Sequence, residues 1–279
     1  AHPDRVLIGE FDKRSGDNVE ELNKELYGDT VPILRMSLAS AELAKYSSNA
    51  FLATKISFIN QIANMCERIP GVDVVEIARA MGLDLRIGPE FLRAGAGWGG
   101  SCLPKDTKAL VALSRKMGYK PKLIEEVIAT NAMQAKHMVE LAEEELGNLE
   151  GKKIAILGLS FKPNTDDIRE AASLRIIELL LTKGVKVVAF DPAAMDNVKK
   201  VLGDRISYSN SIYECLENTD SCMLVTEWDE FKKLQPSDFT KLMRNPILID
   251  GRRIYDPEKF SKELKLRAIG LSKSSEENL

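Results

Sequence analysis

Histidine is nearly missing from this chain: His2 and His137 are the only two in 279 residues. A histidine-rich metal centre therefore lacks its ligands, and no metal site is expected. Cysteine is sparse too. Cys66, Cys102, Cys215 and Cys222 form no C-x-x-C pair and no small disulfide framework, so reduced thiols are the default. No apolar run approaches the roughly 20 residues that span a bilayer. The opening Ala1-His2-Pro3-Asp4 also has none of the features of a signal peptide, so the reading is a cytoplasmic protein without a membrane partner. An excess of positive charge is absent as well. With a net charge of -3 and a pI near 5.7, the chain has no basic field for nucleic acid, although a local patch can still hold a phosphate.

What is present is an ordinary soluble composition, 44% hydrophobic and 29% charged, long enough for two domains of roughly 100–150 residues each. Val6-Leu7-Ile8-Gly9 reads as a strand, followed by a polar turn and a helix over Asn18 to Leu26. The strand has no obvious partner, and the favoured expectation is that it is the last strand of a sheet outside this chain. From Ser37 to Arg68 the sequence lacks Gly and Pro and is rich in Ala, Leu, Ile and Met, which predicts one helix of about nine turns. Apolar positions cover much of its circumference, so it is to be buried on several sides, with a dimer interface as one use. Further helices are expected over Val72 to Met81, Thr107 to Met117 and Lys122 to Leu146.

At Gly151 the pattern changes. Lys153 to Gly158, Ser173 to Lys183 and Val185 to Phe190 read as strand, crossover helix and strand, and Ser221 to Thr226 and Ile247 to Asp250 fit further parallel strands. The fold class is therefore α/β: an all-helical segment with a long helix, then a doubly wound parallel sheet of Rossmann-like type. No internal repeat is evident. Ser272 to Leu279 reads as a loose polar tail.

The most informative stretch is Gly95-Ala96-Gly97-Trp98-Gly99-Gly100-Ser101-Cys102-Leu103-Pro104-Lys105-Asp106-Thr107. Its glycines allow close approach of a ligand, while Lys105 and a helix start would both favour a thiolate at Cys102. Asp106 could take protons or orient a water. A buried structural thiol on a tight loop has the same composition, and spacing alone does not separate the two. Lys45 and Asn49, spaced i, i+4, share one helix face in an apolar region, where a cation and an amide are costly without a ligand. Against that, Lys45 can snorkel to solvent and Asn49 can bond locally. The turn Gly158-Leu159-Ser160-Phe161-Lys162-Pro163 lacks G-x-G-x-x-G, so this sheet is not the obvious dinucleotide site. Asp191 ends the second strand where a ribose-binding acid would sit, but a turn or capping aspartate is commoner.

The segment from Gly99 to Thr107, preceded by Arg86-Ile87-Gly88 and Phe91-Leu92, resembles the active-site segment of the UDP-glucose dehydrogenases. Related UDP-N-acetylmannosamine dehydrogenases typically place a histidine before the cysteine and replace the later lysine, so Ser101 and Lys105 favour the glucose branch. The resemblance runs from about Asp4 to Arg267 and includes Ala41 to Leu52, which is similar to the family helix whose lysine and asparagine bind the reacting oxygen.

This resemblance implies an NAD-dependent oxidoreductase converting UDP-glucose to UDP-glucuronate, as in polysaccharide biosynthesis. Two hydride transfers would pass through a thiohemiacetal and a thioester on Cys102, with Lys45 and Asn49 polarising the oxygen and Asp106 assisting water and protons. It assigns Lys105 and, more weakly, Arg169 to the cofactor. Phe91, Leu92, Gly99, Phe161, Lys162 and Arg252 go to the UDP-sugar, and Arg86 to the neighbouring subunit's site in a homodimer built on the long helix. Arg252 and Lys162 also read as an ordinary surface charge and a solvated loop residue. The implied division is residues 1–36 as remnant of and linker from an N-terminal NAD-binding domain, 37–146 as central dimerisation domain and 147–279 as UDP-sugar-binding domain. Without that first domain the chain is expected to be inactive alone. Another UDP-sugar, a non-catalytic UDP-sugar-binding module and a dimerisation scaffold are the competing readings.

Overall fold

The structure is a computed structural model that describes residues 3–272. The chain divides into two compact units, residues 1–51 and 52–279, with the division falling inside one long helix, α2 (Leu38–Cys66).

The first unit is a β-α-β segment leading into α2. Strands β1 (Val6–Glu10) and β2 (Ile33–Ser37) pair in parallel, Val6 opposite Ile33 and Glu10 opposite Ser37, and α1 (Lys13–Tyr27) is the crossover that a parallel pair requires. The Val6 strand is therefore not an orphan, as the sequence suggested. Its partner was hidden because Ile33 to Ser37 runs directly into the helical pattern of α2 and offers no turn signal at its end. α1 begins five residues earlier than the expected Asn18, because Asp12 and Ser15 form a capping box: the Ser15 amide donates to Asp12 Oδ1 at 2.8 Å, and the Asp12 amide donates to Ser15 Oγ.

The second unit contains the rest of α2, then α3 (Val74–Gly82), α4 (Leu103–Lys116) and α5 (Lys122–Leu146). A six-stranded, wholly parallel sheet follows: β3 (Lys153–Leu157), β4 (Lys186–Phe190), β5 (Ser207–Tyr208), β6 (Ser221–Leu224), β7 (Ile247–Asp250) and β8 (Lys265–Ala268). Spatial order is β5-β4-β3-β6-β7-β8, the doubly wound arrangement whose switch point lies between β3 and β6. α6 (Ala172–Thr182) is the crossover from β3 to β4. The sequence reading missed β5 and β8. One has two residues, and the other alternates charge with apolar side chains, Lys265-Leu266-Arg267-Ala268, so neither reads as a buried run.

Alternation along the inner strands sorts the core into two layers. Ile154 and Ile156 of β3, with Val187, Ala189, Met223 and Ile249, face a cluster formed with α5 and α6. Ala155 and Leu157, with Val188, Cys222, Leu224 and Leu248, face a second cluster containing Phe231, Phe239 and Tyr255. Both faces are covered, which is why the strands are apolar throughout. The last described residue is tied to the helical segment: the Ser272 amide donates to the Val72 carbonyl at 3.2 Å, and the Gly71 amide donates to Ser272 Oγ at 3.1 Å. The expected loose tail thus begins no earlier than residue 273, and 273–279 lie outside the described residues. Three cysteines are core residues. Burial pushes the thiols of Cys66 and Cys222 up and that of Cys215 up to about 12, which leaves them protonated and unreactive near neutral pH.

Candidate active site

The glycine loop is held from two sides. On the helical side, the Gly95 amide donates to Asn60 Oδ1 at 2.8 Å and the Trp98 amide to Asn131 Oδ1 at 2.7 Å, while Asn131 Nδ2 returns a bond to the Trp98 carbonyl at 2.9 Å. The Trp98 indole donates to Ser57 Oγ at 3.0 Å. On the sheet side, the Ala96 amide donates to the Gly251 carbonyl at 2.9 Å and the Gly100 amide to the Arg169 carbonyl at 2.8 Å. Glycine is required where the two sides close. A Cβ at residue 99 would lie 2.3 Å from the Glu170 carbonyl oxygen, and Gly100 has φ +85° with the Phe161 ring 2.6 Å from where its Cβ would be. The loop is thereby pressed against the turns that follow β3 and β7, at the C-terminal ends of the strands, where doubly wound sheets place their ligands.

Immediately after this loop, Cys102 takes the N-cap position of α4, which begins at Leu103, four residues ahead of the expected start at Thr107, but does not cap the helix through its side chain. Its thiol is free of that duty and exposed, with Ser101 Oγ 3.6 Å from Sγ. It is the one exposed cysteine of the four. Pro104 fits the first turn because no amide hydrogen is needed there. Asp106, also in that turn, is fully buried and paired with the exposed Lys105. The positive end of α4 therefore faces a carboxylate, a thiol and a lysine within five residues.

The turn after β3 brings in three further residues from the sequence reading. Phe161 packs on Gly100, with its amide donating to the Asp167 carbonyl at 3.0 Å. The Lys162 ammonium lies 5.6 Å from the Phe161 ring centroid, and its side chain is otherwise exposed. Arg169 is exposed and forks onto Asp167, with Nε 3.0 Å from Oδ1 and Nη2 2.7 Å from Oδ2. Those bonds to Asp167 raise its pKa.

Two aspartates shape the neighbouring turns. Asp191 Oδ2 accepts from the amides of Leu159 and Ser160 and from the Trp228 indole, and Oδ1 accepts from the amides of Ala193 and Ala194. Its oxygens are thus spent on the protein, and it acts as a turn and capping residue rather than a ribose acceptor. Asp250 plays the same part after β7, accepting from the amides of Arg252, Arg253, Ile254 and Tyr255. Burial raises its pKa, against the amide bonds from Arg252, Tyr255 and Ile254 and the charge of Arg253, which lower it.

Arg252 follows from this turn. Its Nε donates to the Val225 carbonyl at 2.6 Å and its Nη1 to the Gly97 carbonyl at 3.2 Å, with Glu227 Oε2 3.4 Å away. Only 17% of the side chain is exposed, so the surface-charge reading fails: Arg252 clamps the glycine loop to the sheet.

The structure thus brings Gly99, Cys102, Lys105, Asp106, Phe161, Lys162, Arg169 and Arg252 to one region. Leu92 is buried just ahead of the loop, whereas Phe91 is 40% exposed with φ +63°. Arg86 stands apart on an exposed turn, forked onto Asp84 at 2.6–3.2 Å. Lys45 and Asn49 belong to the other unit. There, with Asp4, Arg5, Leu7 and Ser48, they line a cavity of about 250 Å³, and Lys45 Nζ sits 4.9 Å from the Tyr46 ring centroid. Sequence reasoning missed Ser57, Asn60 and Asn131, which position the loop. The signal was available in kind, since each is a polar side chain on an otherwise apolar helix face, as Lys45 and Asn49 are.

Comparison with known proteins gives this arrangement a context. Residues 39–133 match the central domain of the UDP-glucose/GDP-mannose dehydrogenase family, and residues 155–257 match its UDP-binding domain. The UDP-glucose 6-dehydrogenases TuaD and YwqF of Bacillus subtilis are 44% and 43% identical over 92% and 91% of this chain, which spans 55% and 57% of their lengths. The structure of a UDP-glucose dehydrogenase from the archaeon Pyrobaculum islandicum superposes with a TM-score of 0.88 at 35% identity, covering 97% of this chain and 59% of that one. A sheet with its switch point at the cysteine loop and two matched domains in the same order lead to one conclusion: the chain belongs to the UDP-glucose/GDP-mannose dehydrogenase family.

Proposed function

We propose that this chain is the catalytic-cysteine and UDP-sugar-binding part of a cytoplasmic UDP-glucose 6-dehydrogenase, which forms UDP-glucuronate with NAD. The observation that carries this reading is the exposed Cys102 thiol at the start of α4, beside a glycine loop clamped against the sheet's switch point by Arg252 and Phe161. The relatives support UDP-glucose as the substrate. Four at 42–44% identity are named for UDP-glucose, whereas two structures named for N-acetylated sugars stand at 27% and 25%.

In this reading Phe161, Lys162, Arg252, Phe91, Leu92 and Gly99 surround the nucleotide sugar. Lys45 and Asn49 donate hydrogen bonds to the C6 oxygen, holding negative charge on it as the alcohol is oxidised and again as a nucleophile adds. An aldehyde has no good second hydride to lose until that addition, so the Cys102 thiolate attacks C6 and forms a carbon–sulfur bond. Loss of the second hydride from the resulting thiohemiacetal would leave a thioester, which water hydrolyses, with Asp106 receiving the water's proton and the carbon–sulfur bond breaking to release the Cys102 thiolate. NAD, when bound, would supply the hydride acceptor, one molecule for each of the two hydrides. Lys105 and Arg169, two exposed cations flanking Cys102, fit its phosphates, while the sheet itself, with Asp191 spent on turns and no G-x-G-x-x-G, does not fit its ribose.

The domain division 1–36, 37–146 and 147–279 belongs to the same proposal. The rest of an NAD-binding domain, of which residues 1–36 would be the remnant and linker, would cover Phe11, Leu22, Leu26 and Leu34, all at least half exposed, and turnover would require it. Phe58 and Met65 on α2, Ile69 just beyond its end, and Leu83, Leu85 and Ile87 around Arg86 are exposed apolar side chains that a homodimer through the long helix would cover, from which Arg86 would reach the partner's site.

Calorimetric titration of the chain with UDP-glucose tests the pocket, and Cys102→Ser in the enzyme with the first domain restored tests the chemistry. The expected outcome is binding without turnover by the chain, and UDP-sugar binding without carboxylate formation by the variant. Full acid production by Cys102→Ser would overturn the covalent mechanism. Failure to bind UDP-glucose even in the restored enzyme would overturn the substrate.

A further inference from the structure

Beneath the glycine loop, α2 and α5 run side by side in constant register. Ser57 Oγ donates to the Val127 carbonyl, Gln61 to Thr130, and His137 pairs with Glu67, at sequence offsets of 70, 69 and 70. That register sets Asn60 level with Asn131 and Asn64 level with Gln134. Asn131 is satisfied by Trp98 at both ends, and Asn60 gives its oxygen to Gly95. Four polar atoms on this seam are nonetheless buried without a protein partner: Asn60 Nδ2, Asn64 Oδ1, and both Gln134 Nε2 and Gln134 Oε1. Asn60 and Gln134 are fully buried. Gln134 also lies directly under the loop, since a Cβ on Gly97 would sit 3.5 Å from Gln134 Cβ.

The chemistry of these four atoms is complementary to one molecule. Two are N–H donors and two are carbonyl acceptors, and a water accepts two hydrogen bonds and donates two. Buried amides are otherwise costly, and internal waters typically make about three bonds to such groups. We infer that a single buried water is bound between Asn60, Asn64 and Gln134, tying α2 to α5 under the glycine loop. Asn60 then spans the water and the Gly95 amide, and Asn131 and Gln134, one turn apart on α5, hold Trp98 and the water. The site belongs to the loop's support rather than to the substrate pocket, so it stands whatever sugar the pocket takes.

Crystals of this chain, at a resolution that shows ordered solvent, decide the point. The expected result is one density peak within hydrogen-bond distance of at least three of the four atoms. Amides bonded directly to one another with no peak between them would overturn the inference. A second measurement uses Gln134→Met, which keeps the length of the side chain and removes both of its polar atoms. Exchange of the Gly95 amide hydrogen should then rise by at least ~10-fold, a local opening, while the amides of Ile154 and Leu224 in the sheet stay as they were. Unchanged exchange at Gly95 would overturn the supporting role of the water. Should the variant fail to fold, the density in the unaltered chain still decides.

Discussion

The molecule contains two parallel sheets built by the same crossover logic and stabilised by different forces. In β3 to β8 the inner strands are buried on both faces, and Ile154, Ala155, Ile156 and Leu157 have no exposed surface at all. In β1 and β2 only Ile8 is buried, and Leu34 is 51% exposed. What fixes that pair is charge. The Arg35 guanidinium donates to Glu10 Oε2 at 2.8 and 2.6 Å, to Asp17 at 2.5 Å and to Glu20 at 3.1 Å, joining both strands to α1. Two strands alone are marginal in water, and a polar clamp cannot replace a core, because exposed ion pairs are screened and weak. Burial therefore dominates the first case and electrostatics the second.

This contrast can be broken most forcefully at the core. Ile156→Ala should cost about 2–5 kcal/mol, as buried aliphatic truncations do, whereas Leu34→Ala should stay within about 0.5 kcal/mol. Urea unfolding followed by hydrogen exchange of the amides in each sheet would compare them, and equal losses would mean that β1 and β2 are buried in solution. A smaller effect is expected from His137, which ties the helical segment to the end of the sheet through Glu67, itself an acceptor for the Gly270 amide at 2.8 Å. Burial lowers the pKa of His137, but the hydrogen bond and charge of Glu67, with Glu140 beyond it, outweigh that and leave it raised above 6.5. A raised folded-state value means the bond's contribution is complete below about pH 6.5 and is lost as pH rises through the folded value. The chain should be less stable to urea on the alkaline side, and His137→Gln should flatten that slope. The smallest effect is on Arg35→Ala, which should loosen exchange in β1 and β2 at low salt and do little at high salt, leaving the six-stranded sheet untouched.

Legibility of the sequence followed the same division. β3, β4, β6 and β7 were readable because burial on two faces writes an uninterrupted apolar run, and α5 was readable to the residue. β2 was not, since a half-exposed strand that continues straight into a helix leaves neither a run nor a turn. β5 and β8 fell to brevity and to charge alternation. In the candidate site, the motif from Gly99 to Thr107 announced itself through glycine, cysteine and lysine in one stretch. Arg252 remained ambiguous, because an arginine after a turn looks the same whether it is solvated or folded back onto a carbonyl 155 residues away.

The sequence by itself determined the succession of elements, the apolar faces that make the sheet doubly wound, and the thiol at the start of a helix, because these depend on local periodicity and on residue chemistry. Only the tertiary structure decided that the glycine loop lies against the sheet's switch point, that Asp191 and Asp250 serve turns, and that Asn60 and Asn131 hold the loop. Apart from the bonds of Asp250, which stay within its own turn, each of those depends on atoms brought together from 30 or more residues apart, and hydrogen-bond geometry at that range is fixed by packing rather than by sequence pattern.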